Sequence, residues 1–112
     1  MVVNKYIGET VNIDVQFKNT GYTQNWFQIT GQVIQGTKTA QTQVEALVNP
    51  GETVIINPSV QIPSSFTEET SCDVTAILRD KTSLTELDRE PNPGAVYIKK
   101  LLGGQIISKT VS

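Results

Sequence analysis

The sequence predicts an all-β fold of about seven to eight short strands, in the first place a sandwich of two antiparallel sheets and otherwise a small barrel. Three observations carry this prediction. Apolar and polar residues alternate without interruption over residues 11–18, the pattern of a strand with one buried face. Turn-forming residues recur about every 8–12 residues along the chain. Thr is the commonest residue and only 18% of residues are charged, a composition that suits strands better than helices.

Five strands are predicted in the first two thirds of the chain, at residues 2–7, 11–18, 24–34, 41–48 and 53–62. The first is predicted to be an edge strand. Gly31 interrupts the third strand and indicates a bulge or a close approach of another backbone segment. Pro58 interrupts the fifth strand. Because proline has no N–H to donate to a strand ladder, this strand is expected to be broken or to lie at an edge.

The last third of the chain begins with a strand at residues 71–79, in which Cys72 lies on the apolar face. Residues 80–94 then change the pattern, because they are densely charged. Residues 83–86 fit a capping box, which predicts a single helical turn within this loop.

Two apolar runs complete the chain, at residues 95–102 and 105–111. They are separated by Gly103 and Gly104, a pair of residues suited to the tight turn of a hairpin. The sequence therefore predicts a C-terminal β-hairpin. No repeat or linker divides the chain, so residues 1–112 are expected to form one domain.

Three segments resemble a known family. Gly-Glu-Thr-Val at residues 8–11, with Lys-Asn-Thr-Gly at residues 18–21, resembles the opening of bacterial and archaeal immunoglobulin-like domains of the CARDB type, which are related to cell adhesion. Leu-Val-Asn-Pro-Gly-Glu-Thr at residues 47–53 resembles their mid-domain turn. Val-Gln-Ile-Pro at residues 60–63 and the strand after it are similar to their last core strands. The resemblance covers about residues 3–80. It implies an immunoglobulin-like sandwich with adhesion, scaffolding or spacer roles and no shared catalytic residues.

Charge and hydropathy exclude two classes of partner. The net charge is −2, whereas nucleic-acid-binding domains carry a clear basic excess. No stretch approaches 18 consecutive apolar residues, so no membrane insertion is predicted. Residues 1–5 lack the basic and apolar regions of a signal peptide. We therefore expect a protein partner, either copies of this chain or another subunit, at a virion surface or at the outside of a cell.

Catalytic and metal chemistry is not predicted, and neither is a cofactor. The chain has no histidine, the commonest general base and zinc ligand. Cys72 is expected to fill the core. Asp14 and Asp73 are of the type used by glycosidases and calcium sites, but solvated strand carboxylates are the favoured interpretation. A denser acidic set is expected to be a solvated, internally paired loop rather than a calcium site. It comprises Asp80, Glu86, Asp88 and Glu90, interspersed with Arg79, Lys81 and Arg89.

Two binding surfaces remain as candidates. The first is an aromatic pair, Tyr22 and Trp26, predicted to point outward and able to stack on a sugar ring; the alternative is an ordinary surface tryptophan. The second is an assembly interface in residues 91–112, which hold three lysines and no acid. Opposite charge on the rest of the chain favours head-to-tail contact between copies, and the alternative is that the lysines protect an edge strand. The interface comprises Lys99, Lys100, Ile106, Ile107, Lys109 and Val111.

The sequence therefore favours a non-enzymatic structural or interaction module of a surface assembly. A capsid decoration or tail protein of a virion, or a domain of an adhesin, would fit this description. The alternative from another class is a carbohydrate-binding module that uses Tyr22 and Trp26.

Overall fold

The computed structural model describes residues 2–112; Met1, the first residue of the segment tested for a signal peptide, lies outside them. Over the described residues the chain forms nine β-strands and no helix, so the prediction of an all-β fold is confirmed. The strands are β1 (Val3–Lys5), β2 (Thr10–Val11), β3 (Val15–Lys18), β4 (Asn25–Gln35), β5 (Lys38–Val48), β6 (Thr53–Ile56), β7 (Val60–Gln61), β8 (Thr70–Asp80) and β9 (Glu86–Ile98).

Five of the strands form one mixed sheet in the order β1-β9-β8-β4-β5. Its pairs are antiparallel except β1 with β9, which run parallel with Val3 opposite Val96, so the prediction of antiparallel sheets was wrong for this pair. The sheet curls into a half-barrel. Two short antiparallel ladders, β2 with β7 and β3 with β6, pack against one face of it. The edge strand predicted near the N-terminus is confirmed as β1.

Strand β4 pairs with β5 along its whole length on one side and with β8 on the other. Gly36 has a φ of +60° at the first central position of the two-residue connection between β4 and β5, where a type II′ hairpin turn favours glycine. The strand predicted at residues 41–48 starts earlier, at Lys38, because this tight turn places Lys38 directly opposite Gln35.

The strand predicted at residues 11–18 forms as two pieces, β2 and β3, with an interruption at residues 12–14. Its partner strand is interrupted at Pro58, as predicted, and the two interruptions face each other. Gly31 of β4 lies against both of them, because a Cβ atom at this position would overlap the Pro58 carbonyl oxygen and crowd the Ile13 side chain. The close backbone approach predicted at Gly31 is therefore confirmed.

The buried core consists of two clusters. We call them the closed-end and open-end clusters, because β1 covers the edge of β9 beside the first and no strand of the described chain covers it beside the second. Val15 packs against both of them, and Cys72 is buried in the first, as predicted. The closed-end cluster contains Val11, Ile13, Val33, Val60, Ile62, Phe66, Cys72, Ala95, Val96 and Ile98. The open-end cluster contains Phe17, Phe27, Ile29 and Val48.

Residues 80–94 do not contain the predicted helical turn. Instead, β8 and β9 form one long hairpin in which β9 starts at Glu86, opposite Arg79. Its turn is held by Asp80, whose carboxylate accepts hydrogen bonds from the Ser83 N–H at 2.9 Å and the Ser83 hydroxyl at 2.7 Å. The prediction was wrong because pairing with β8 draws Glu86 into a ladder, and tertiary pairing overrides a local helix preference.

The predicted C-terminal hairpin was also wrong, because residues 99–112 belong to no strand or helix. The last residues of β9 have both edges occupied. Ile98, for example, lies opposite Thr70 of β8 on one side and Lys5 of β1 on the other. A return strand at residues 105–111 therefore has no edge of this part of β9 to pair with.

Candidate functional site

A gap separates β3 from the first half of β9 at the open end of the half-barrel, and we call it the β3–β9 gap. Its volume is about 710 Å³, and a shallower extension continues along β9. Side chains from β3, β4, β8 and β9 line it. Its apolar and charged lining residues include Phe17, Lys18, Phe27, Leu78, Asp80, Leu87, Asp88, Arg89 and Glu90.

The gap exists because two strands lack a second partner there in the described part of the chain. Strand β3 pairs only with β6. Strand β9 pairs with β8 over most of its length, but β1 covers its other side only at Val96, Tyr97 and Ile98. Residues 86–92 therefore have one edge without a neighbouring strand. Such an edge presents backbone N–H and C=O groups with which another strand can pair.

The floor of the β3–β9 gap is apolar. The rings of Phe17 and Phe27 pack edge to face with their centroids 5.3 Å apart, an arrangement that aromatic rings prefer. Leu78 is half-buried against the same open-end cluster. Leu87 is exposed on the β9 wall. The gap thus offers an apolar surface from which an inserted side chain would displace water.

The β9 wall of the gap is acidic. Asp88 lies opposite Leu78 and Glu90 lies opposite Ala76, so both carboxylates are on the gap-facing side of the β8–β9 hairpin. Both ion pairs found among the described residues involve other carboxylates. Asp88 and Glu90 therefore face the gap without a cation at salt-bridge distance within residues 2–112. Lys18 lines the opposite wall and Arg89 is paired with Glu86, so with Asp80 the carboxylates outnumber the cations around the gap, and the field favours a basic ligand.

Two carboxylates near the tip of the hairpin are held in the ionised form. The hydrogen bond from the Ser83 hydroxyl, together with the Asn25 amide at 2.8 Å and the Ser83 N–H, lowers the pKa of Asp80. The hydrogen-bonded Arg89 guanidinium, 2.7 Å away, lowers the pKa of Glu86, and the same pairing raises the pKa of Arg89. Asp80 and Glu86 therefore stay negatively charged at pH values below the ordinary pKa of a carboxyl group.

Trp26 and Leu47 lie opposite each other on the outer face of the five-stranded sheet, and Trp26 is 45% exposed. The strand parity that buries Phe27 turns Trp26 outward, as the sequence predicts. The Lys81 ammonium lies 4.9 Å from the centroid of the Trp26 ring and 2.9 Å from the Glu45 carboxylate. One face of the indole is therefore covered by a paired cation.

Tyr22, the other residue of the predicted aromatic pair, is fully exposed in the bend between β3 and β4. The aromatic contact found among residues 2–112 joins Phe17 and Phe27 instead. Tyr22 and Trp26 are thus two separate exposed rings rather than one stacked platform.

The C-terminal segment, residues 99–112, is exposed throughout. It is tied to the body at its start, where the Lys99 N–H donates to the Lys5 carbonyl at 2.8 Å and the Leu101 N–H donates to the Glu68 carboxylate at 2.9 Å. The segment contains every residue of the predicted assembly interface. Its uncovered apolar side chains are Leu101, Leu102, Ile106, Ile107 and Val111, and its cations are Lys99, Lys100 and Lys109.

The remaining candidates from the sequence are engaged within the fold. Burial raises the pKa of the Cys72 thiol, and a hydrogen bond from Gln35 opposes this only in part. Asp14 accepts a hydrogen bond from the Asn57 amide. Asp73 accepts the Gly94 N–H at 2.8 Å, where the β8–β9 register shifts. Cys72 is thus part of the core, and the two aspartates bond neighbouring segments of the fold.

Sequence reasoning missed the β3–β9 gap, because residues 80–94 were predicted to be a loop with a helical turn. One signal for the acidic wall was present. Asp88 and Glu90 are two residues apart, the spacing of neighbours on one face of a strand. Glu86 continues this spacing in the sequence, but the register shift places it opposite Arg79 on the other face, where it pairs with Arg89. The dense charge of the segment obscured the spacing of Asp88 and Glu90.

Comparison with known proteins gives no family for this chain, since neither the protein-family models nor the curated proteins contain a match to it. Within residues 2–112, no helix is long and apolar enough to cross a membrane. No group of three or more Cys, Asp or Glu side chains in this part of the chain is placed to hold a metal ion. The function is therefore inferred from the β3–β9 gap and the C-terminal segment.

Proposed function

We propose that this chain is an immunoglobulin-like β-sandwich that acts as a non-enzymatic structural and interaction module of a surface assembly. A virion decoration or tail protein and an adhesin-type domain are the forms that fit best. The observation that carries the proposal is the C-terminal segment, which leaves five large apolar side chains uncovered and carries three lysines, of which Lys99 lies over the Tyr6 ring at the start of the segment. Apolar groups exposed together in this way mark a contact surface for another protein.

The strand order supports the immunoglobulin-like part of the proposal. In such sandwiches the third, sixth and seventh strands form one sheet, and the second and fifth strands lie in the other. Here β4, β8 and β9 are neighbours in one sheet, while the interrupted strands β2–β3 and β6–β7 pair with each other across from them. Gly51 has a φ of +77° in the turn after Asn49 and Pro50, and the Glu52 N–H closes this turn on the Asn49 carbonyl at 3.1 Å, the geometry of a type II turn.

A non-enzymatic role is supported by the positions of the Cys72 thiol and the Asp80 carboxylate, both of which contribute to the structure. A nucleophile or general base needs access to a substrate and a pKa near the working pH. The Cys72 thiol is buried with a raised pKa. Asp80 holds the β8–β9 turn with a lowered pKa. Both groups serve the fold.

The proposal is tested by comparing the full-length chain with a chain that ends at Gly103, using light scattering over a range of concentrations. We expect the full-length chain to associate where the shortened chain stays monomeric. Association should weaken in high salt, because salt screens the lysines. If the full-length chain is monomeric at high concentration and low salt, assembly between copies is wrong. If the shortened chain is unfolded by circular dichroism, the segment belongs to the core and the proposal fails.

A carbohydrate-binding module is the second candidate, and the exposure of Tyr22 and Trp26 favours it. Trp26 is the sole tryptophan of the chain, so its fluorescence reports directly on titration with soluble oligosaccharides. Binding should be lost in Trp26→Ala and in Tyr22→Ala but kept in Leu47→Ala, a matched change beside Trp26 on the same face. Sugar binding with this pattern, in a chain that stays monomeric, would replace the assembly proposal.

A further inference from the structure

We propose that the β3–β9 gap is the docking site for the C-terminal segment of a second copy of this chain. In this arrangement residues 105–111 of one copy add as a strand beside residues 86–90 of the other. The inference rests on the proposed function and specifies the surface that the exposed segment binds. Adding a strand to a free sheet edge uses backbone hydrogen bonds for affinity and side-chain pockets for specificity.

The acceptor edge has backbone groups to offer. The Arg89 N–H donates to the carboxylate of the residue before it, Asp88, at 2.8 Å, and a carbonyl of an incoming strand can take over that bond. Pro91 and Pro93 have no N–H, so they limit regular pairing to residues 86–90. A stretch of about five residues is the usual length of a strand.

The donor has the side chains that the gap requires. In an extended segment Ile107, Lys109 and Val111 share one face, because side chains alternate along a strand. This face is apolar at both ends and basic in the middle. With that face turned into the gap, the apolar ends cover the floor formed by Phe17 and Leu78.

Charge complementarity favours the same pairing. Asp88 and Glu90 face the gap without a cation at salt-bridge distance among the described residues. Lys109 would lie between them in the docked strand. Complementary charges of this kind speed encounter and reject wrong partners, so the acidic wall selects a basic strand.

The segment of the same copy is poorly placed to reach this site. Ile98 ends β9 and Asp88 lies ten residues back along it, a distance of about 34 Å at the rise of a strand. Ile107 is only nine residues beyond Ile98, and nine fully extended residues span at most about 32 Å, with none left to reverse direction. In the same copy β1 also occupies the edge of β9 beside Ile98, and the Lys99 N–H is bonded to the Lys5 carbonyl, so the segment cannot return directly along β9. A second copy is the donor that needs no detour around β1.

This contact is heterologous, since donor and acceptor are different surfaces of the chain. A heterologous contact leaves one free segment and one free gap at the two ends of every oligomer that does not close on itself. Such contacts propagate into rings or open filaments. This geometry suits a repeating surface or tail assembly.

The test separates the proposed donor segment from the rest of the chain. A domain that ends at Gly103 is mixed with a labelled peptide of residues 104–112, and binding is measured by fluorescence anisotropy. We expect one peptide to bind per domain. The double variant Asp88→Lys/Glu90→Lys should weaken binding by about tenfold or more, whereas Glu45→Lys, a single charge reversal on β5, should leave it unchanged. A Lys109→Glu peptide should recover affinity for the double variant and bind the unmodified domain poorly.

A readout of position completes the test. Hydrogen exchange of the backbone amides at Leu87 and Arg89 should slow when the peptide binds. Equal losses in the double variant and in Glu45→Lys would indicate unspecific charge attraction and overturn the inference. If the full-length chain associates but the peptide does not bind, or binds without protecting these amides, the β3–β9 gap is not the acceptor, although the proposed function stands. If the peptide does not bind and the full-length chain is monomeric, both are wrong.

Discussion

The two halves of strand β9 lie in opposite environments although they pair with the same neighbour, β8. The last residues, among them Val96 and Ile98, are buried in the closed-end cluster between β8 and β1. The first residues, 86–92, are exposed and border the β3–β9 gap. What differs is the second neighbour, because β1 is only three residues long and covers only the closed end.

This difference separates stability from interaction within one strand. Where β1 closes the edge, the chain supplies apolar residues that fill the core. Where no strand closes it, the chain supplies alternating carboxylates beside an apolar floor. Proteins commonly depart from the rules of good packing at functional sites and compensate elsewhere. We therefore expect substitutions at the closed end to affect folding and substitutions at the open end to affect binding.

The largest effect is expected from shortening a core side chain at the closed end. Ile98 is 0% exposed, so Ile98→Ala should lower the free energy of unfolding by about 2–5 kcal/mol, through lost burial and a closed cavity. Leu78 lies half-buried at the gap, where its removal enlarges an open space. Leu78→Ala should therefore cost about half as much or less. Urea unfolding of both variants measures the difference, and equal losses would show that the open end is packed as tightly as the closed end.

The junction between the two ends is the next most sensitive point. Gly31 lies against Pro58 and Ile13, and a methyl group there would overlap the Pro58 carbonyl oxygen, a backbone atom that cannot simply rotate away. Gly31→Ala should lower the free energy of unfolding by about 1–3 kcal/mol, the usual range for overpacking. Gly103→Ala is the matched control, since nothing lies within 4 Å of that position. A Gly31→Ala variant as stable as Gly103→Ala would contradict the close approach.

Most of the closed end could be predicted from the sequence. The alternation over residues 11–18 correctly placed Val11 and Ile13 of the closed-end cluster in the core, together with Phe17 of the open-end cluster, although the strand is interrupted. Pro58 marked the break in the partner strand, and Gly31 marked the close approach. These signals are local, because they depend on the side-chain parity of a strand or on the backbone limits of a single residue.

The open end could not be predicted in the same way. Whether residues 86–90 form a strand depends on pairing with β8, a partner found only in three dimensions, and their charge favoured a loop. The prediction of a hairpin at residues 95–111 was wrong for a similar reason. Its turn signal, Gly103 with Gly104, is sound locally, but β1 already occupies the edge that the return strand needs. Competition between segments for one sheet edge is not visible in local sequence patterns.

The tip of the β8–β9 hairpin should make stability depend on acid pH. The pKa of Asp80 is lowered in the folded chain by hydrogen bonds from Ser83 and Asn25, while the unfolded value is about 3.9. Its contribution is therefore fully present above the unfolded pKa and is lost as the pH falls through the lower, folded pKa. Asp80→Asn should lower the melting temperature at pH 7, and the difference from the unmodified chain should shrink steadily below about pH 4. Melting curves from pH 7 to pH 2 that stay parallel for the two proteins would contradict this role.

The smallest difference in stability is expected between alanine variants of two aspartates in the same hairpin, Asp73 and Asp88. Asp73 accepts the Gly94 N–H where the β8–β9 register shifts near the closed end, so Asp73→Ala should cost about 0.5–1.5 kcal/mol of unfolding free energy. The side chain of Asp88 faces the β3–β9 gap and Glu90 lies two residues away on the same side, so removing its charge relieves repulsion between like charges. Asp88→Ala should therefore leave stability within about 0.5 kcal/mol of the unmodified chain, with any gain greatest at low salt. If thermal unfolding shows Asp88→Ala to be as destabilising as Asp73→Ala, the acidic wall is part of the fold. If it is neutral, the carboxylate contributes little to folding, which is the result expected of a group placed there to bind a partner.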